Sequence, residues 1–184
     1  MRVYVIRHGE SENNRAKRWS GWCDTPLTDK GRADAARAGE RLRGIVFDKI
    51  YASDLSRARE TAAVALPDGT AEPSVLLREI NVGRLENTPH TPELLASTAG
   101  EYAAFGGESN EDLRGRIRRF MTELETAAYD TVAVFTHGGW MRAMLSVVLE
   151  ANIPATKLPC GNGTVAIFDY TNGSWKLHSW INLL

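Results

Sequence analysis

Two short apolar runs, Val3-Tyr4-Val5-Ile6 and Thr131-Val132-Ala133-Val134-Phe135, each break off into a histidine followed by glycine. The first continues as Arg7-His8-Gly9-Glu10-Ser11, the second as Thr136-His137-Gly138-Gly139. Neither run alternates apolar with polar residues, so neither suits a strand with one wet face. Continuous runs of this length fit strands buried on both sides, which occur in parallel sheets covered by helices. In such sheets ligands collect beyond the carboxyl ends of the strands. Both His-Gly pairs fall at that edge.

The rest of the chain agrees with alternating strands and helices. Thr28 stands where an N-cap belongs, ahead of an alanine-rich helix over Ala33–Leu42, and Gly44 is placed to stop it. Lys49–Ala52 reads as a second strand. Asp54 is placed to cap a helix from Leu55 to about Ala65, which Pro67 ends. Val75–Leu77 reads as a short strand. Residues 81–108 are irregular, with one helix around Pro92–Thr98. Ser109 with Asp112 opens a helix whose Leu113, Ile117, Phe120, Met121 and Leu124 recur at helical spacing. Its arginines, Arg114, Arg116, Arg118 and Arg119, are interleaved with glutamates and read as a solvated face rather than a nucleic-acid surface. Trp140–Leu149 is an apolar helix, and Asn172-Gly173 is a hairpin turn between two final strands. The pattern predicts a three-layer α/β/α fold with a mostly parallel central sheet, a single domain over residues 1–184.

Composition sets outer limits. The formal charge is −1, which gives no global attraction to nucleic acid or to anionic membrane. No run approaches the roughly 18 apolar residues of a membrane span, and the first residues enter a strand directly without an apolar leader. Cys23 and Cys160 are far apart and suit a reducing compartment better than a disulfide framework, with Cys23 read as a small buried thiol. A cytoplasmic location is the expectation. The His-Gly edges favour an anionic ligand. Arg7 offers a planar fork of donors, and a helix beginning after Gly138 aims free N–H groups at the same place, a match for a phosphoryl group.

The motif Arg7-His8-Gly9-Glu10-Ser11 resembles the signature of the histidine phosphatase superfamily, the phosphoglycerate-mutase-like enzymes. Further segments follow in that family's order: Asn14, Gly21–Thr28, Ser53–Ala58 with Arg57, Glu79 with Gly83, Gly107-Glu108-Ser109, and Phe135–Gly139. The resemblance implies that His8 is a nucleophile that carries the phosphoryl group. Arg7, Arg57 and His137 would hold the phosphoryl oxygens, helped by Asn14 and the Gly138 backbone, and Glu79 would handle the proton. It implies no metal and no other cofactor. Where the family runs from the acid to an aromatic, Glu and Gly, this chain has Leu85, Glu86 and Asn87, and Glu86 is the fallback acid.

Phosphatases and mutases share this machinery. The short interval 88–106 leaves little cover over the site, so water can reach a phosphorylated His8, which favours a hydrolase acting on a small phosphorylated metabolite. A phosphoglycerate mutase and a phosphate-binding protein without activity are the alternatives. Arg84, His90 and Tyr102 are candidate wall residues for the substrate. The apolar tail Trp175–Leu184 suits packing on the core or on a second copy, leaving a homodimer open.

Overall fold

The computed structural model describes residues 1–98, 101–153 and 157–182; Leu183 and Leu184 of the apolar tail lie outside them. In chain order the elements are β1 (Arg2–Arg7), α1 (Glu12–Arg15), α2 (Asp29–Arg41), β2 (Lys49–Ser53), α3 (Ser56–Ala65) and β3 (Glu72–Ser74). There follow α4 (Pro92–Thr98), α5 (Asn110–Thr126), β4 (Thr131–Thr136), α6 (Gly138–Val148), β5 (Val165–Thr171) and β6 (Ser174–Ile181). The strands form one sheet in the order β3-β2-β4-β1-β5-β6. From β3 to β1 the pairings are parallel; β5 and β6 join antiparallel.

The two apolar runs lie side by side at the centre, and both of their faces are covered. Val3, Val5, Val132 and Val134 belong to a core shared with Ile117, Phe120, Trp140 and Met144 of α5 and α6. Ile6, Ala133 and Phe135 turn the other way, onto Ala38, Leu42 and Ala62 of α2 and α3. Successive side chains of a strand point to opposite faces, so a strand buried on both sides needs apolar residues at every position. That requirement explains the unbroken runs and gives the three-layer α/β/α arrangement.

The caps at Thr28 and Ser109 act where the sequence placed them. Thr28 Oγ1 accepts from Gly31 N at 3.0 Å, and Ser109 with Asp112 forms a reciprocal capping box. Asn172 and Gly173 take φ of 52° and 76°, the left-handed pair of a tight hairpin turn. Trp175, Leu177 and Trp180 of β6 pack against the α5–α6 side of the core, and Trp180 Nε1 donates to Pro159 O at 3.0 Å.

Three local readings are corrected. Val75–Leu77 is a 3-10 turn, not a strand; the strand is the three residues before it, Glu72–Ser74. Asp54 does not cap α3: its two carboxylate oxygens take the Arg78 guanidinium at 2.8 and 2.5 Å, and Leu55 occupies the cap position with no side-chain bond. A charge-assisted bidentate pair outcompetes a single neutral-donor cap. Cys23 is half-buried rather than buried.

Candidate active site

Register alone brings the two histidines together. Arg7 at the end of β1 pairs with Thr136 at the end of β4, and His8 N donates to Thr136 O at 2.9 Å. The next residue on each strand is therefore a histidine at the same edge. The two imidazole rings stand 5.1 Å apart at 64°, and both are buried.

His8 Nδ1 lies 2.6 Å from Gly9 O. A carbonyl oxygen can only accept, so Nδ1 carries the proton and Nε2 keeps its lone pair. Burial, then the charges of Arg57 and Arg7, hold the ring's pKa well below its ordinary value of 6.5. His8 is thus a neutral imidazole with one nitrogen fixed as donor and the other free.

Arg57 reaches the same place from the first turn of α3 and is fully buried. Its Nη1 donates to Cys23 O at 2.9 Å and its Nη2 to Gly21 O at 2.8 Å. Arg7 Nη1 donates to Cys160 O. Beyond these anchors, Arg7 Nε, Arg57 Nε and both ring nitrogens of His137 are buried with no hydrogen-bond partner among the described residues. An unsatisfied buried donor costs about 1–3 kcal/mol, so a cluster of them at one strand edge is what an anionic ligand would satisfy. Gly138 lets Arg7 lie flat on the start of α6: a Cβ there would stand 3.1 Å from Arg7 Nε.

Glu79 caps α6. Its Oε1 accepts from Ile80 N at 2.9 Å and Trp140 N at 3.1 Å, and its Oε2 from Gly139 N at 3.0 Å. A carboxylate at a helix N-terminus is held by free N–H groups and by the helix dipole. This one sits immediately after His137, the N-cap residue of α6.

Glu86, the fallback acid, does other work. Its Oε1 accepts from Trp22 N at 2.7 Å and Cys23 N at 3.0 Å, shaping the loop whose carbonyls hold Arg57. Asn87 follows at φ 61°. Asparagine tolerates this left-handed conformation better than most residues, so the turn survives without the glycine of the resembled pattern. Asn87 Oδ1 also accepts from Asn13 Nδ2 at 2.8 Å.

Asn14 belongs to the same edge through a neighbour the sequence reading overlooked. Asn162 Nδ2 donates both to His8 O at 3.1 Å and to Asn14 Oδ1 at 3.0 Å. This leaves the Asn14 amide NH2 without a protein acceptor among the described residues. The wall candidates sit further out. Arg84 is exposed and donates to Ala104 O at 3.2 Å, not to any residue around His8. His90 and Tyr102 pack on Trp19, with ring centroids 4.4 and 5.5 Å away. Arg116 departs from the solvated-face reading: it turns inward to the loop that carries Glu79. Asn162 and Arg116 carried no local signal, since a loop asparagine and one arginine among four look alike on any sequence.

Fold and site together define an α/β protein with two arginines, two histidines and a capped carboxylate gathered at its parallel-strand edge. The chain belongs to the histidine phosphatase superfamily (branch 1), whose family model matches residues 3–183. It is similar to a broad-specificity phosphatase of Saccharomyces cerevisiae, 33% identical over 187 residues that span 95% of this chain and 81% of that protein. It is also similar to the probable phosphoglycerate mutase GpmB of Salmonella paratyphi A, 29% identical over 98% of this chain and 90% of that one. Among solved structures, a mycobacterial glucosyl-3-phosphoglycerate phosphatase complexed with VO3 superposes with a TM-score of 0.85, 27% identical over 98% of both chains.

Proposed function

We propose that this protein hydrolyses a phosphomonoester of a small metabolite through a phosphohistidine on His8, with no metal ion or other cofactor. One observation carries the reading: unpartnered buried N–H groups of Arg7, Arg57 and His137 converge beside a neutral His8 whose Nε2 is free. A phosphoryl transition state needs positioning and charge stabilisation above all, and two guanidinium groups supply both.

The Nε2 lone pair attacks phosphorus while the P–O bond to the alcohol breaks. Arg7, Arg57, His137 and the Asn14 amide hold the three other oxygens. Glu79 passes its proton to the departing alkoxide. Three N–H groups occupy about three of the four acceptor positions of its carboxylate, and the fourth, on Oε2, is left to hold that proton. Water then attacks phosphorus, Glu79 takes up its proton, the P–N bond breaks, and phosphate leaves with His8 neutral again. Dividing the displacement into two steps lets one carboxyl group serve first as acid and then as base.

Hydrolysis is favoured over transfer to a second hydroxyl by how little covers the site. Between Glu86 and Glu108 the described chain forms only α4 and a 3-10 turn at Ala103–Phe105. The yeast relative is a phosphatase of broad specificity, which fits a shallow cover. A panel of phosphomonoesters read out as inorganic phosphate, with EDTA present, tests the proposal. The wild type releases phosphate, His8→Ala does not, and vanadate, an analogue of five-coordinate phosphorus, inhibits. Phosphate release that persists in His8→Ala would overturn the reading. With 3-phosphoglycerate and 2,3-bisphosphoglycerate together, faster formation of 2-phosphoglycerate than of phosphate would make the protein a mutase instead.

A further inference from the structure

Glu79 sits on irregular backbone, between a 3-10 turn that ends at Leu77 and another that begins at Gly83. Within its own segment only Ile80 N holds its carboxylate; the other two bonds come from α6. Trp22 Nε1 donates to Glu79 O at 2.8 Å, and the wider grip on the segment comes from Arg116, on the inward side of α5. Arg116 Nη1 donates to Leu76 O at 2.9 Å and Arg78 O at 2.7 Å, and Nη2 donates to Glu79 O at 3.1 Å. The remaining donors, Nε and the second of Nη2, take the two oxygens of Glu108 at 3.0 and 2.8 Å. A guanidinium has five N–H groups, and all five are committed here.

Glu108 closes the grip from the other side. Its Oε2 accepts from Asn81 N at 2.8 Å, while its own N–H donates to Asn81 O at 2.9 Å. The pair therefore holds the backbone at positions 76, 78, 79 and 81, on both sides of Glu79. Its members are only 11% and 16% exposed, so the contact is sheltered from the screening that weakens surface ion pairs. The fold itself does not need it in order to hold the segment down, since Leu76, Leu77 and Ile80 are already anchored in the core. What the pair adds is precision in where the carboxylate stands.

We infer that Arg116, held by Glu108, is a positioning residue for proton transfer: it sets the Glu79 backbone so that the carboxylate stays at the N-terminus of α6. The inference rests on Glu79 being the proton donor of the proposed reaction. Lysine cannot replace the arginine, because its ammonium has three donors at one point and cannot span five acceptor atoms on two segments.

The test separates substrates by how much their leaving group needs a proton. An alkyl phosphate, the best of the panel, leaves as an alkoxide that must be protonated; p-nitrophenyl phosphate leaves as a stable phenolate. In Arg116→Lys and in the milder Glu108→Gln, kcat/KM for the alkyl ester falls about 10- to 100-fold, within the range of general acid catalysis, while that for the aryl ester changes by less than about threefold. Glu79→Gln, measured in parallel, shows the same selectivity to a greater degree. Equal losses on both substrates, or none on either, in the two pair variants would overturn the positioning role while leaving the acid assignment standing on Glu79→Gln. If Glu79→Gln itself shows no selectivity, the acid assignment fails and the positioning role goes with it.

Discussion

At the scale of single residues, the site is built by withholding partners. Most buried polar groups in proteins are satisfied, yet Arg7 Nε, Arg57 Nε and the His137 ring are not. In the proposed reaction Arg57 has two parts, as a donor to the phosphoryl oxygens and as a charge that, after burial, lowers the His8 imidazole pKa. The two effects separate by experiment. In Arg57→Gln, kcat/KM falls by about 10²–10³, the scale for losing one charge-stabilising donor. Removing the positive charge also lets the His8 pKa rise toward 6.5, so the acidic limb of the pH–kcat/KM profile moves to higher pH. Both enzymes are assayed on the same substrate, so its own ionisation cancels. A limb that stays put, or moves down, would show that Arg57 does not tune His8.

At the scale of elements, the start of α6 is where the strand edge becomes a site. His137, Gly138 and Gly139 set a ring, a guanidinium and a carboxylate around one helix terminus. A Cβ at Gly139 would stand 2.3 Å from Glu79 Oε1. That atom is the far end of a mobile side chain, so Gly139→Ala should fold with a melting temperature within a few degrees of wild type while pushing the acid off its N–H groups. The expected result is about a tenfold or larger loss of kcat on an alkyl phosphate, within the span of general acid catalysis, with the far-ultraviolet spectrum unchanged. Unchanged kcat would mean that the carboxylate works equally well elsewhere.

The same element shows what a sequence can and cannot carry. The strand ends, the His-Gly pairs and the caps at Thr28 and Ser109 were readable because each rests on neighbours within a few residues. The 3-10 turn at Val75–Leu77 was not, since three apolar residues have no period that distinguishes it from a strand. Asp54 looked like a cap until folding brought Arg78 to it from 24 residues away. Asn162 meets His8 across a separation of 154 residues. Arg116 meets Glu79 across 37. Contacts of this kind exist only once the sheet has assembled. The family resemblance therefore located the groups in the order of the chain, and only the fold shows how they are held.

At the scale of the whole molecule, placing two imidazoles between the layers ties acid stability to the site. Burial is the first cause lowering the pKa of both His8 and His137, and the two arginines add to it. In the unfolded chain each ring titrates near its ordinary 6.5, so below that pH the unfolded state binds protons that the folded state refuses. Stability is complete above that value and falls as pH drops toward the folded-state pKa, by about 1.4 kcal/mol per pH unit for each such ring. His90, also lowered by burial, contributes in the same direction. Carboxylates held down by partners, Asp54 by Arg78 and Asp169 by Arg2, act mainly below about pH 4.5, so the interval from about 6 to 4.5 is governed chiefly by the histidines. Urea unfolding at half-unit steps across that interval should give a steep decline for the wild type. In His137→Gln the slope should be shallower, by up to about 1.4 kcal/mol per pH unit, because less proton is taken up on unfolding. Since every comparison is made at equal pH, any constant cost of the substitution drops out of the slope. Parallel declines for the two proteins would mean that His137 accepts a proton in the folded state. In that case the strand edge would be wetter than its geometry implies.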